Sequence, residues 1–174
     1  MTLATAVLLF VTLQRLGELL LARRNTRALL ARGGFEVGAK HYPLIVALHT
    51  AWLAGLWLLA WNAPVNLPLL GIFAGFQLLR VWVLATLKDR WTTRIIVLPE
   101  ARLVSSGPYR LIRHPNYAVV IGEIAVLPAT FGLWSFALIF SILNAALLRH
   151  RIRVENRSFA LAKPPRPATQ SQIA

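Results

Sequence analysis

Long apolar runs separated by short polar segments dominate this chain. Five of them, Thr2 to Ala22, Tyr42 to Trp61, Leu67 to Leu87, Asn116 to Thr130 and Leu133 to Leu148, read as membrane helices, because crossing about 30 Å of hydrocarbon takes roughly 20 helical residues. Hydrocarbon offers no partner for a peptide group, so each run must satisfy its own backbone as a helix. The last two runs are shorter than the others and are separated only by Phe131 and Gly132. They predict a tight helical hairpin whose arms need not span independently. The expected fold is all-α: a polytopic integral membrane protein of about five transmembrane helices with a C-terminal helical hairpin.

Composition agrees with that pattern. The chain has 174 residues, 57% of them hydrophobic and 14% charged, with a mean hydropathy of +0.59, far from the average of soluble domains. A single membrane domain over residues 1–161 accounts for all the runs, with no repeat and no second domain. From Ala162 onward, Pro164, Pro165 and Pro167 among Gln and Ser predict a short disordered tail to residue 174. The first run reads as a retained anchor rather than a cleaved signal peptide, since no basic region precedes it and Arg15 and Glu18 lie inside it. The chain has no cysteine, which excludes disulfides, a thiolate nucleophile and a cysteine metal site.

The formal charge of +13 would suggest nucleic acid only if it covered one face of a soluble domain. Instead the cations follow alternate spans. Arg23, Arg24, Arg27, Arg32 and Lys40 follow the first; Lys88, Arg90, Arg94, Arg102, Arg110 and Arg113 the third; Arg149, Arg151, Arg153, Arg157, Lys163 and Arg166 the fifth. The opposite connections, 62–66 and 131–132, carry no charge. Because Lys and Arg favour the cytoplasmic side, the N-terminus is expected outside and the C-terminus inside. In a bacterium that would be the inner membrane. No nucleic acid partner is expected.

Several polar groups sit within the apolar runs. Gln14, Arg15 and Glu18 share a helix face, and a charge near mid-membrane costs about 2.5–3.5 kcal/mol, so all three should face the bundle, as a structural ion pair or as a substrate contact. Arg80 with Gln77, and Glu123, pose the same choice. Glu123 lies seven residues beyond Asn116, two turns deeper on the same face, where it reaches either a bound substrate or a structural partner such as Arg80. Gly71 and Gly75 allow another helix, or a second copy of this chain, to approach closely. Trp52, Trp57 and Trp61 suit the membrane interface. His41 and His49, eight residues apart, fall on different helix faces, away from metal-ligand spacing, and no metal is expected.

The chemistry is concentrated between residues 105 and 117. Ser105 to Pro108 has turn composition, and Pro115 presets the entry to the fourth helix, where its missing N–H is harmless. A helix start offers free backbone N–H groups and a positive dipole end to an anion such as a carboxylate, with Arg113, His114, Asn116 and Tyr117 as further donors. A second polar set, Arg149, His150, Arg151, Arg153 and Glu155, stands where the fifth helix leaves the membrane. Arg151 and Glu155 are four apart and can pair on one face. The hairpin can bring the two sets together on the cytoplasmic side as a pocket; the alternative is a positive-inside cluster beside a helix cap.

Gly107-Pro108-Tyr109, then Arg113-His114-Pro115-Asn116-Tyr117, an apolar hairpin and Arg151-Ile152-Arg153-Val154-Glu155 resemble the isoprenylcysteine carboxyl methyltransferase (ICMT) family over about Arg102 to Ala160. The resemblance implies an integral-membrane methyltransferase that uses S-adenosylmethionine, releases S-adenosylhomocysteine and lacks the soluble Rossmann-type fold. No G-x-G-x-x-G occurs here. It implies cofactor contacts at Leu103, Val104, Tyr109, His114, Pro115, Asn116, Tyr117 and Glu155 within a cofactor-binding part of about 94–160. It also implies a substrate-side arginine at Arg151 and places Arg94 near a polar cofactor contact.

Physical chemistry fits those roles. The methionine part of the cofactor is a zwitterion, its carboxylate suited to the helix start with His114 and Tyr117, its ammonium or ribose hydroxyls to Glu155. Catalysis would be positioning and exclusion of water, with Arg151, Glu155 and His114 as the catalytic set. A carboxylic acid acceptor is ionised at neutral pH and needs no base; a phenol or enol could lose its proton to His114 or Glu155. Glu36 to Pro43 with Val46, Leu48 and His49 resembles a bacterial branch, some of whose members O-methylate long-chain alkylpyrones or alkylresorcinols. A small membrane lipid is therefore favoured as acceptor over an isoprenylcysteine. Competing readings are a phospholipid N-methyltransferase, which a cationic Arg151 disfavours, a sterol reductase-like enzyme, which the short chain disfavours, and a non-catalytic scaffold or transporter.

Overall fold

In the computed structural model, which describes residues 1–99, 101 and 104–161 and side chains as far as residue 157, the five expected helices form in the expected order. They are α1 (Leu3–Ala31), α2 (Tyr42–Ala60), α3 (Leu67–Leu87), α4 (Pro115–Thr130) and α5 (Trp134–Leu161). Leu103, Arg102, Lys163, Arg166 and the expected tail lie outside the described residues. Local chemistry sets the ends. Thr2 caps α1 by accepting from Thr5 N at 3.2 Å, and Asn66 caps α3 by accepting from Leu69 N at 3.0 Å, each satisfying an amide that has no partner in the first turn. Gly132, at φ +76, turns the α4–α5 hairpin while Leu133 N donates to Pro128 O at 3.0 Å, a close that spares the last carbonyls of α4.

The helices alternate in direction, and hydrogen bonds tie together the ends that meet. Thr5 Oγ1 donates to Trp61 O at 2.6 Å, and Asn66 N to Thr130 O at 2.9 Å, so the starts of α1 and α3 join the ends of α2 and α4. The arginine-rich connections gather at the other end, as the charge pattern requires. There the structure adds a two-stranded antiparallel ribbon, β1 (Phe35–Val37) on β2 (Ile95–Val97), which three-residue runs did not announce. α1 and α5 also continue well past the apolar runs at Ala22 and Leu148; the arginines there end the hydrophobic segment without ending the helix.

Four helical segments among the described residues are long and apolar enough to cross a membrane, Leu3–Ala31, Ala39–Ala60, Leu67–Arg90 and Trp134–Arg157. α4 is the exception: its 16 residues rise about 24 Å. It is instead the central helix, with nine residues buried, held between α3 and α5. Leucines such as Leu13, Leu20, Leu58 and Leu78 point outward, each more than 65% exposed, a surface that only lipid makes favourable. Packing concentrates at the charge-free end, where Leu8 and Val11 meet Trp52, Leu56, Phe73, Ile124 and Leu127. A smaller cluster of Ala22, Val83 and Trp91 lies towards the arginine-rich end.

Close helix approach occurs at Gly122, where a Cβ would collide with the Phe76 ring of α3. Gly71 and Gly75 have nothing of this chain within 4 Å of that position and are exposed. Gly122→Val is therefore expected to destabilise the fold by about 1–3 kcal/mol by overpacking, read as a lower unfolding midpoint in detergent, whereas Gly71→Val leaves the monomer's midpoint unchanged.

Candidate active site

Two helix ends build the site. Pro115 opens α4 and His114 precedes it as N-cap without a side-chain capping bond. One turn on, Tyr117 stacks on His114, with ring centroids 5.2 Å apart and planes at 22°. α5 arrives antiparallel and presents Arg151 and Glu155. The Tyr117 hydroxyl donates to the Glu155 carboxylate and accepts from Arg151 Nε at 3.1 Å, and the Arg151 guanidinium stands 5.9 Å from the Tyr117 ring centre. The two motifs therefore meet. The expected direct Arg151–Glu155 pair is replaced by one bridged through a phenol from the neighbouring helix, which separates the two charges and fixes both.

Asn116 faces the other way and accepts from Trp91 Nε1 at 3.4 Å. Trp91 is held by Asn25 of α1, whose amide donates to Trp91 O at 2.9 Å and Lys88 O at 3.0 Å. Sequence reasoning passed over Asn25 and Trp91, although a buried Asn on an otherwise apolar helix face is itself a signal of a backbone to be held. The turn before α4, Gly107–Arg110, is pinned by Gly107 at φ +57, where a Cβ would strike Thr86. It delivers Tyr109 beside the Ala22, Val83 and Trp91 cluster. Val104 is half-buried on the way into that turn, Pro115 is buried and Arg113 is exposed. Arg94 is occupied elsewhere: it bonds both oxygens of Glu36 at 2.8 Å and lies 4.3 Å from the Tyr42 ring centre. His150 meets His41 edge-on, with centroids 5.2 Å apart.

Burial, with a smaller push from the Glu155 carboxylate, raises the Tyr109 phenol from its ordinary value to about 12. The folded state thus prefers the neutral phenol. Its contribution to stability is present below pH about 10, where an unfolded tyrosine ionises, and is lost as pH rises towards about 12. Tyr109→Phe is expected to flatten that alkaline loss, measured as the unfolding midpoint against pH in detergent.

Deeper in the membrane, Arg15, Glu18, Arg80 and Glu123 form one cluster across three helices. Arg15 Nη1 lies 2.8 Å from Glu18, Arg80 Nη1 3.1 Å from Glu18, and Arg80 Nε 2.7 Å from Glu123, with Arg15 also on Glu123. Gln77 donates to Glu123 at 2.7 Å and Gln14 to Glu18 at 3.1 Å. Glu123 bonds Arg80, Arg15 and Gln77 with both oxygens engaged.

A cavity of about 490 Å³ runs between α1, α2 and α5. Ile45, Trp52, Leu53, Val120, Leu147 and Leu148 give it apolar walls, Asn116 and Arg151 stand at its arginine-rich end, and Arg15, Glu18, Arg80 and His49 line it further in.

Fold and site together define a polytopic membrane protein with a polar cluster at one helix hairpin and an apolar cavity beside it. The chain belongs to the isoprenylcysteine carboxyl methyltransferase (ICMT) family, whose model matches residues 69–161, and is a membrane methyltransferase. It is 39% identical over 150 residues to the uncharacterized protein YpbQ of Bacillus subtilis, covering 83% of this chain and 89% of that one. It is 28% identical over 128 residues to an uncharacterized protein of Haemophilus influenzae, covering 70% and 71%. No solved structure matches.

Proposed function

We propose that this enzyme moves a methyl group from S-adenosylmethionine to an oxygen of a lipophilic acceptor, at a site facing the cytoplasm, with the N-terminus outside. The observation that carries the reading is the Arg151–Tyr117–Glu155 chain standing where an apolar cavity ends at Arg151 and Asn116. The donor set fits the cofactor. The start of α4 has no side-chain cap and suits a carboxylate with His114 and Tyr117 beside it, while the half-buried Glu155 carboxylate suits an ammonium or ribose hydroxyls. The resemblance adds Leu103, Val104, Tyr109, Pro115 and Asn116 as further cofactor contacts. Bound S-adenosylmethionine supplies an electrophilic methyl carbon.

Arg151 orients an anionic or hydrogen-bonding oxygen of the acceptor from the cavity side, and the apolar walls hold the tail and exclude water. A carboxylate needs no base; a phenolic or enolic proton has Glu155 or His114 within the same constellation to take it. The resemblance of Glu36 to Pro43 to a bacterial branch favours a small membrane lipid over an isoprenylcysteine as acceptor, and a guanidinium at the cavity mouth disfavours an amine acceptor. Incubating the purified protein with methyl-labelled S-adenosylmethionine and separated lipid extracts is expected to place label in a neutral or phenolic lipid. Absence of cofactor binding by calorimetry would sink the reading.

A further inference from the structure

The four intramembrane charges cancel in pairs, which suffices for helix glue. Glue has no need of an open side. Arg80 and Glu123 are sealed, with side chains 3% and 1% exposed, but 22% of the Arg15 side chain remains accessible, and Arg15, Glu18 and Arg80 form part of the wall of the cavity that ends at Arg151. His49 lines it too. Its Nδ1 is 2.8 Å from the Ile45 carbonyl; since a carbonyl only accepts, Nδ1 carries a proton, and in the neutral ring Nε2 is then an acceptor. Glu123, the partner of Arg15 and Arg80, is seven residues along α4 from Asn116, a rise of about 10 Å. On the cavity wall itself Asn144 and Arg151 are likewise seven residues apart on α5, so the wall is polar at its Arg151 end and again about that far in, where Arg15, Glu18, His49, Thr50 and Asn144 stand, with mainly apolar wall between.

A saturated tail pressed against Arg15 and Glu18 would remove water from both and return no hydrogen bond. An oxygen at the same depth accepts from Arg15, and a hydroxyl also donates to Glu18 or His49. We infer that the acceptor is an amphiphile with two polar points: the oxygen presented to Arg151, and a hydroxyl or carbonyl about 10 Å further along its hydrocarbon body, bound by Arg15, Glu18 and His49. This rests on the cavity being the acceptor site.

Trp52, Trp57 and Trp91 line the cavity, so intrinsic fluorescence in phosphatidylcholine nanodiscs, without cofactor, reads occupancy independently of methyl transfer. The probes are heptanol and the heptanediol with a hydroxyl at each end, whose extended span matches that separation. After correction for partition into lipid, the diol is expected to bind about fivefold tighter, the worth of one added hydrogen bond. His49→Phe, which leaves the charged cluster intact, and Glu18→Gln should each reduce that preference. Equal binding of the two alcohols, or a preference untouched in both variants, overturns the inference while leaving the methyltransferase reading standing. No response to either alcohol overturns the cavity as acceptor site and this inference with it.

Discussion

Arg151→Ala is expected to lower methyl transfer about a hundredfold while leaving affinity for S-adenosylmethionine within about twofold, and Glu155→Gln to do the reverse, weakening the cofactor about tenfold or more. The asymmetry follows from which way each group faces. Arg151 is part of the cavity wall, so its guanidinium meets the acceptor, whereas Glu155 is absent from that wall and turns to the Tyr117 hydroxyl at the helix start. A hydrogen bond involving a charge is worth about 1.5–3 kcal/mol, which corresponds to between about 10-fold and about 150-fold in a constant. Calorimetry for the cofactor and label transfer for turnover separate the two effects. Equal loss of cofactor binding in both variants would contradict the division. Tyr117→Phe breaks both links at once and is expected to impair both readouts.

Glu123→Leu is expected to destabilise the protein by about 3–5 kcal/mol, because it leaves Arg15 and Arg80 to share Glu18, with one buried cation uncompensated. Glu123 is 1% exposed and Arg80 3%, so neither has water to fall back on. The double variant Arg80→Leu with Glu123→Leu should cost less than the sum of the two single changes, since it leaves the Arg15–Glu18 pair neutral as a unit. Unfolding midpoints in mixed detergent micelles for the four proteins of that cycle provide the test; strict additivity would mean the cluster is not coupled.

The span order, the hairpin at Phe131–Gly132 and the gathering of cations at one end were legible because length, apolarity and Lys/Arg placement are local properties. Arg15 with Glu18 was legible for the same reason. What joins that pair to Arg80 and Glu123 is a set of contacts between helices far apart in the chain, and no spacing rule encodes them. Tyr117 shows the limit most clearly: four-residue spacing puts Arg151 and Glu155 on one face, where they can pair, but says nothing of the α4 hydroxyl that bonds both. The ribbon of β1 and β2 and the overruns of α1 and α5 were missed because hydrophobic runs mark the membrane, whereas helices and strands go on where the backbone allows.

The brevity of α4 has a consequence for the chemistry. Its last turn is tied to the charge-free end through Asn66 and Thr130, and its length of about 24 Å falls short of the roughly 30 Å of a hydrocarbon layer. With α4 upright and its last turn level with one face of the apolar slab, its start beside His114 would lie about 6 Å inside the opposite face. On the proposed function, the water-soluble donor would then come down to the acceptor rather than the acceptor rise into water. The acceptor would then pass from lipid into the apolar cavity without crossing water.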